Sequence, residues 1–451
     1  MNETIKIKKG LDIPLGGTAE RTIIDARSIG RYAVRPPDVV GFTPRLLVAE
    51  GDSVHAGQPL VADKNDPRLT VPSPVDGTVE AIVRGEKRKL LEVVVSLTPC
   101  PSPIGEGSGD SQHSSPLSIR RGVGGEALSP VWWMLRERPF GTIANPDHKP
   151  KGIYVSMRDT NPLAPDIDFA LRGREHEFEA GIEALKAYAP VHVVRAEGPH
   201  PAGNIGTIVA TLDPINKGEC IWHVGAQDVA NIGRWVTTGE YRPERVIAVG
   251  GPAAKSPKYY RVVCGASIKQ IADVQLMNPE YPALSTFNFP LSTRVISGSV
   301  LSGTTVAPDG FLGLYDQQLT FIEEGDHYEF MGWLMPGLKK FSFSKTFLSG
   351  FARLLPTAYY PLPTQFNTNM HGSVRPFLFT GSFEKVFPMD IYPLQLIKAC
   401  IVGDIELQEQ LGIYEVEPED FALCEFIDPS KTDIQTIIRE ALEVLRKEAT
   451  A

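Results

Sequence analysis

Two imidazoles stand where this chain is densest in glycine and proline, His200 in Gly198-Pro199-His200-Pro201-Ala202-Gly203 and His223 in Trp222-His223-Val224-Gly225. Two such rings brought to one crevice can hold a metal or polarise a carbonyl such as that of a quinone. The flat rings of Trp222, Trp333 and Phe341 suit an apolar ring lying beside them. Each has a plainer reading: His200 caps a turn, His223 bonds a backbone carbonyl, and the three aromatic residues fill a core. Gly198, Pro201, Gly203 and Gly206 enter as backbone positions, because a glycine turn after a strand lets N–H groups approach whatever lies above the strand ends.

Other chemistries fail on spacing. A dinucleotide site needs GxGxxG at the first strand-to-helix turn, and Gly203-Asn204-Ile205-Gly206 supplies only GxxG. Gly298 to Thr305 has the glycine spacing of a phosphate loop, but Thr304 stands where its lysine must be, so a turn between two strands is expected there. The five cysteines, Cys100, Cys220, Cys264, Cys400 and Cys424, show no CxxC or other ligand spacing. They read as reduced, buried thiols, with no metal, no iron–sulfur cluster and no resident redox centre. No catalytic residue is assigned.

The elements that must position these residues form an α/β alternation. Strand-like Gly152 to Met157, a helix around Glu177 to Tyr188, strands Val191 to Val194 and Thr207 to Ala210, a helix after Gln227 and strand Val246 to Val249 predict a parallel sheet covered by helices. Before it, residues 1–100 read as strands and tight turns, like the flattened β-barrel of biotinyl and lipoyl carrier domains. Lys64 is the lysine such a carrier would acylate, but its spacing to Pro72-Ser73-Pro74 is longer than carriers use. Between 101 and 130, 17 of 30 residues are Gly, Pro or Ser, so a mobile linker is expected. Residues 131–255 form the Rossmann-like unit and 256–320 a small β-grasp-like module. The remainder, 321–451, is a mixed, aromatic-rich, α-rich region ending in an amphipathic helix with Ile434, Ile437, Ile438, Ala441, Leu442 and Leu445 on one face. The fold class is thus mixed, multidomain α/β.

At 451 residues with 42% hydrophobic and 22% charged composition, the chain can bury a large core. A net charge of -9 argues against a nucleic-acid partner. No run of about 18 apolar residues is present, so no direct membrane span is expected. The start, MNETIKIKKG, lacks the apolar region of a signal peptide.

Several segments together resemble the A subunit of the bacterial sodium-translocating NADH:quinone oxidoreductases. They are Ile5 to Pro14, Asp159-Thr160-Asn161-Pro162-Leu163-Ala164, the His200 and His223 turns, Gly298 to Gly303, and Phe387-Pro388-Met389-Asp390-Ile391. The resemblance spans nearly the whole chain, Pro101 to Ala127 excepted. It implies a peripheral subunit on the cytoplasmic face of the bacterial inner membrane, within a six-subunit complex that oxidises NADH, reduces quinone and exports sodium. It implies docking on a membrane-spanning subunit, with a share in the quinone-reduction end. NADH, FMN, FAD and iron–sulfur centres would then reside on partner subunits. Two rivals are a self-sufficient flavin or NADH oxidoreductase, lacking its glycine loops, and a lipoyl or biotinyl carrier component using Lys64.

Overall fold

The structure is a computed structural model that describes all residues except 1, 98–116, 122–124, 277–292, 326–330, 333, 338–339, 342, 345–346, 350–365, 378–380 and 450–451. It is a mixed α/β molecule of several sheets. Strands β1 (Asn2–Lys6) and β2 (Glu20–Asp25) precede a small β domain built from β3 (Arg31–Val34), β4 (Pro44–Leu46), β5 (Ser53–Val54), β6 (Pro59–Asp63), β7 (Thr70–Pro72), β8 (Gly77–Arg84) and β9 (Leu90–Leu97). These pair as two antiparallel sheets, β3-β9-β8-β5 and β4-β6-β7. Neither sheet can bury its apolar face alone, and Val54, Leu60, Val61, Val71, Val79, Val93 and Val95 meet in one core. Lys64 is exposed just past β6, its amide donating to the Thr43 carbonyl at 2.9 Å.

A hairpin, β10 (Ser118–Arg121) with β11 (Gly125–Leu128), lies inside the stretch read from its composition as linker. It is anchored at its base. Leu117 is fully buried, its amide donates to the Tyr188 hydroxyl at 3.3 Å, and its carbonyl accepts from Ser129 at 3.0 Å. A single buried leucine leaves no periodic trace, so composition alone missed it.

Next come β12 (Arg136–Arg138), β13 (Thr142–Ile143), β14 (Ile153–Ser156), α1 (Ile167–Ala170), α2 (Glu175–Leu185), β15 (Val191–Glu197), α3 (Ile205–Leu212), β16 (Ile221–His223), α4 (Ala226–Thr238) and β17 (Glu244–Gly250). The sheet order is β1-β15-β14-β16-β12-β13, with the first four strands parallel. Two expectations change here. Thr207 to Ala210 is helical, because β15 and β16 are parallel and need a crossover that only a helix covers compactly; α3 buries Gly206, Thr207, Ile208 and Val209. Its β-branched run reflects burial rather than a strand. Val246 to Val249 is a strand, but β17 belongs to a second sheet.

That sheet has the order β2-β18-β17-β21-β19-β20, with β18 (Lys258–Val263), β19 (Thr293–Ser297), β20 (Thr304–Val306) and β21 (Gln318–Glu323), and α5 (Lys269–Leu276) following β18. The Gly298 to Gly303 turn joins antiparallel β19 and β20, as its missing lysine led us to expect. Helix α4 ties the two sheets together. One face packs so closely on α2 that a Cβ at Gly181 or Gly233 would overlap the other helix's backbone. On the other, Asp228 holds Arg245 of β17 through two bonds of 2.7 and 2.9 Å in full burial, and the Gln227 amide pairs with both the N–H and the C=O of Val246. The C-terminal helices α6 (Pro393–Val402), α7 (Ile405–Gln410), α8 (Ala422–Ile427) and α9 (Ile434–Ala449) enclose a separate core, and α9 buries Ile434, Ile438, Ala441, Leu442 and Leu445. This is the stripe its periodicity predicts.

Candidate functional site

The segments after β14 and β16 lead, by way of α1 in the first case, to helices α2 and α4, which pack on each other, whereas the loop after β15 leads to α3, which packs against β14. Where such loops part, the carboxyl ends of a parallel sheet leave a crevice. Here it is a cleft of about 120 Å³ lined by residues including Arg136, Asp159, Asn204, His223, Gly225 and Glu419. The N-termini of α3 and α4 both open into it. Neither Asn204 nor Gly225, at the two cap positions, caps its helix through a side chain, so the positive ends of both helix dipoles lie at the cleft without a side-chain cap.

His223 contributes the most distinctive group. It is 2% exposed, and its Nε2 has no hydrogen-bond partner. Burial first, then the positive charges of Arg136 and Arg138, push its pKa well below the ordinary imidazole value, so the ring is neutral. The Arg136 guanidinium lies 4.7 Å from the Tyr315 ring centroid. Asp159 accepts from the amide and the side chain of Asn161, both at 2.9 Å, while burial pushes its carboxyl up. Burial, reinforced by Asp420 and Glu417, also raises Glu419. The cleft thus offers a neutral imidazole, a guanidinium, two helix ends and acids inclined to keep their protons. It can orient a polar group and exchange a proton with it.

Of the side chains singled out by type, His223 alone lines this cleft, and of the four turn positions Gly203 does. His200 is buried in the β15–α3 loop, its Nδ1 3.3 Å from the Thr160 hydroxyl and its amide donating to Asp12 at 3.0 Å. Trp222 points to the other face of β16, against Trp132 and Tyr188, and its indole N–H donates to Glu137 at 2.9 Å. Phe341 sits in the C-terminal region between Phe366 and Phe426. Trp333 lies outside the described residues.

The turn glycines are close-approach positions for the chain itself. Gly198 has φ +137° and no room for a Cβ beside the Ile7 carbonyl, and a Cβ at Gly203 would overlap the Arg158 carbonyl. Pro201 follows His200 through a cis peptide. At Gly206 a Cβ would overlap the Asp420 carboxylate and the Arg138 guanidinium. That ion pair, 2.5 Å from Nη2 to Oδ2, is buried on both sides, with Glu417 3.4 Å from Arg138 Nε. Asp420 and Glu417 also form a reciprocal capping box. The C-terminal region is thereby locked to β12 beside the cleft.

Residues 5–98 match the NqrA N-terminal barrel-sandwich hybrid domain, and residues 127–197 and 186–241 match the NqrA second alpha/beta domain. The A subunit of the Na(+)-translocating NADH-quinone reductase of Rhodopirellula baltica is 37% identical over 466 residues, covering 98% of each chain. That of Pasteurella multocida is 35% identical, covering 98% of this chain and all of its own. The chain belongs to the NqrA family. Among solved structures, an NAD+-reducing nickel–iron hydrogenase aligns over 66% of this chain and 54% of its own, at 10% identity and a TM-score of 0.32, too slight a likeness to carry an argument.

Among the charged cleft residues of this NqrA family member, Arg136, Arg158, Asp159 and Glu419 are the ones that sequence reasoning missed. Asp159 opens one of the quoted segments and was legible as a motif member. Arg136 and Glu419 come from β12 and the C-terminal region, and only the fold brings them to the same cleft.

Proposed function

We propose that this chain is a peripheral subunit of a sodium-translocating NADH:quinone oxidoreductase. It docks on a membrane-spanning partner through its C-terminal third, contributes to the quinone-reduction end, and carries no redox centre of its own. The observation that carries the reading is full-length similarity, 98% of both chains, to proteins named as the A subunit of that reductase. Among the described residues no helix is long and apolar enough to cross a membrane. Attachment through protein contact fits this, and the C-terminal third supplies apolar surface for it. Leu334, Met335, Val374, Tyr392, Ile401 and Val402 are each at least half exposed there. A groove of about 390 Å³ between α6, α7 and α9 continues this surface past Ile401 and Val444.

At the quinone end, His223 is the group best suited to meet a carbonyl oxygen, since its ring is neutral and its Nε2 has no partner. Absence of a flavin loop and of cysteine ligand spacing supports a chain without its own redox centre, with NADH, FMN, FAD and iron–sulfur chemistry on the partners. Fractionation tests the docking. High salt should leave the chain on native membranes, and deleting the membrane-spanning subunits should release it. Retention on membranes lacking every partner would mean direct lipid binding and end the docking reading. The purified chain should be colourless; a stoichiometric flavin or cluster absorption would end the other half.

A further inference from the structure

The pleat of β12 sends alternate side chains to opposite faces. Arg136, opposite His223, goes to the cleft; Glu137, opposite Trp222, goes to the far side. There its carboxylate meets His148, from the loop between β13 and β14, and Cys220, the residue before β16. The carboxylate, imidazole and thiol donor atoms all lie within 4.8 Å of one another. These three residues are far apart in sequence, so no ligand spacing announces them.

We propose that Glu137, His148 and Cys220 form a zinc site, with water in the fourth position, that clips β12, the β13–β14 loop and the lead-in to β16 together. The donor set decides the metal. One sulfur, one nitrogen and one oxygen suit a borderline-soft ion that accepts tetrahedral geometry, whereas sodium, magnesium and calcium take oxygen shells. This is therefore not a site for the ion the family is named for. The groups that would steady the carboxylate are in place, while the Cys220 thiol would give up its weak contact with the Lys149 carbonyl at 3.8 Å. The far carboxylate oxygen of Glu137 accepts from the Trp222 indole at 2.9 Å and from the Asn145 amide at 3.2 Å, fixing the group that must stay still.

The near oxygen is 2.8 Å from His148 Nδ1. Ligands on a tetrahedral zinc with bonds of ~2.0–2.3 Å stand about 3.3–3.8 Å apart. The imidazole must therefore back away slightly and the sulfur close in. His148 is half exposed and Cys220 half buried at the chain surface, so both can move.

The test uses the full-length chain stripped of metal. Calorimetric titration should show one Zn²⁺ bound per chain, and Co²⁺ loading should give a thiolate-to-cobalt charge-transfer band. Cys220→Ser should remove that band and weaken Zn²⁺ binding at least tenfold. His148→Ala, at an exposed position that does not threaten folding, should weaken it similarly. Cys400→Ser, on α6, should change neither. No stoichiometric uptake, a band that survives Cys220→Ser, or affinity unaltered by either ligand substitution would overturn the proposal.

Discussion

At the scale of single residues, burial sets the behaviour of His200. Its pKa falls to about 4 because burial disfavours the cation, and 6.5 is the ordinary value. Above pH 6.5 both folded and unfolded chains carry a neutral ring. Between 6.5 and 4 the unfolded chain takes up a proton that the native one refuses, so stability is lost as pH falls, by up to about 3 kcal/mol. Asp38, pushed up to about 6 by burial, works in the opposite direction over the same range. The difference between wild type and His200→Gln isolates the histidine. The variant, whose amide can still meet Thr160, should show a flatter urea midpoint between pH 6.5 and 4, and identical slopes would contradict the assignment. The Arg138–Asp420 pair makes a sharper case. Asp420→Asn removes the carboxylate that hydrogen-bonds the buried guanidinium and leaves Glu417 to balance its charge, so it should cost about 1.5–3 kcal/mol by urea denaturation. A loss under about 1 kcal/mol would mean that water reaches Arg138. That pair was invisible in the sequence, because 282 positions separate its members. The turns that carry His200 and His223 were legible by contrast, since their glycines mark strand ends.

At the scale of elements, periodicity exposed the helices with one wet face and hid those without. Helix α9 could be read directly from its stripe, and α2 from the Glu177 to Tyr188 segment. Helix α3 could not, because Ile205 to Leu212 is apolar around most of its circumference and looks like a strand until its crossover role is known. The hairpin β10–β11 lies in a stretch whose composition speaks for disorder, yet Leu117 at its base is fully buried. Leu117→Ala should therefore cost about 2–4 kcal/mol, the range for emptying a leucine site in a packed core. A loss of a few tenths, measured by chemical denaturation, would show that the segment is carried passively. Replacing only residues 101–114 by a short Gly/Ser linker should by contrast leave stability within about 1 kcal/mol.

At the scale of the whole molecule, the candidate cleft sits at a joint between units, taking residues from β12, the parallel sheet and the C-terminal region together. The docking reading makes its prediction here. Charged substitutions at Leu334 and Met335, both more than half exposed, should leave the isolated chain's melting temperature unchanged while releasing it from native membranes. Unchanged membrane association would move the contact elsewhere. The first 25 residues reach further still. Strand β1 closes one edge of the parallel sheet beside Val193 to Glu197, and β2 closes the second sheet beside Lys258 to Arg261. Both are made well before their partners. At roughly 5–20 residues per second, a ribosome needs on the order of ten seconds to a minute before the second partner emerges. Until then β2 is bare on the nascent chain, and β1 is bare until Val193 to Glu197 emerge, which makes this early segment the stretch most in need of a chaperone and the least forgiving place to insert a bulky tag.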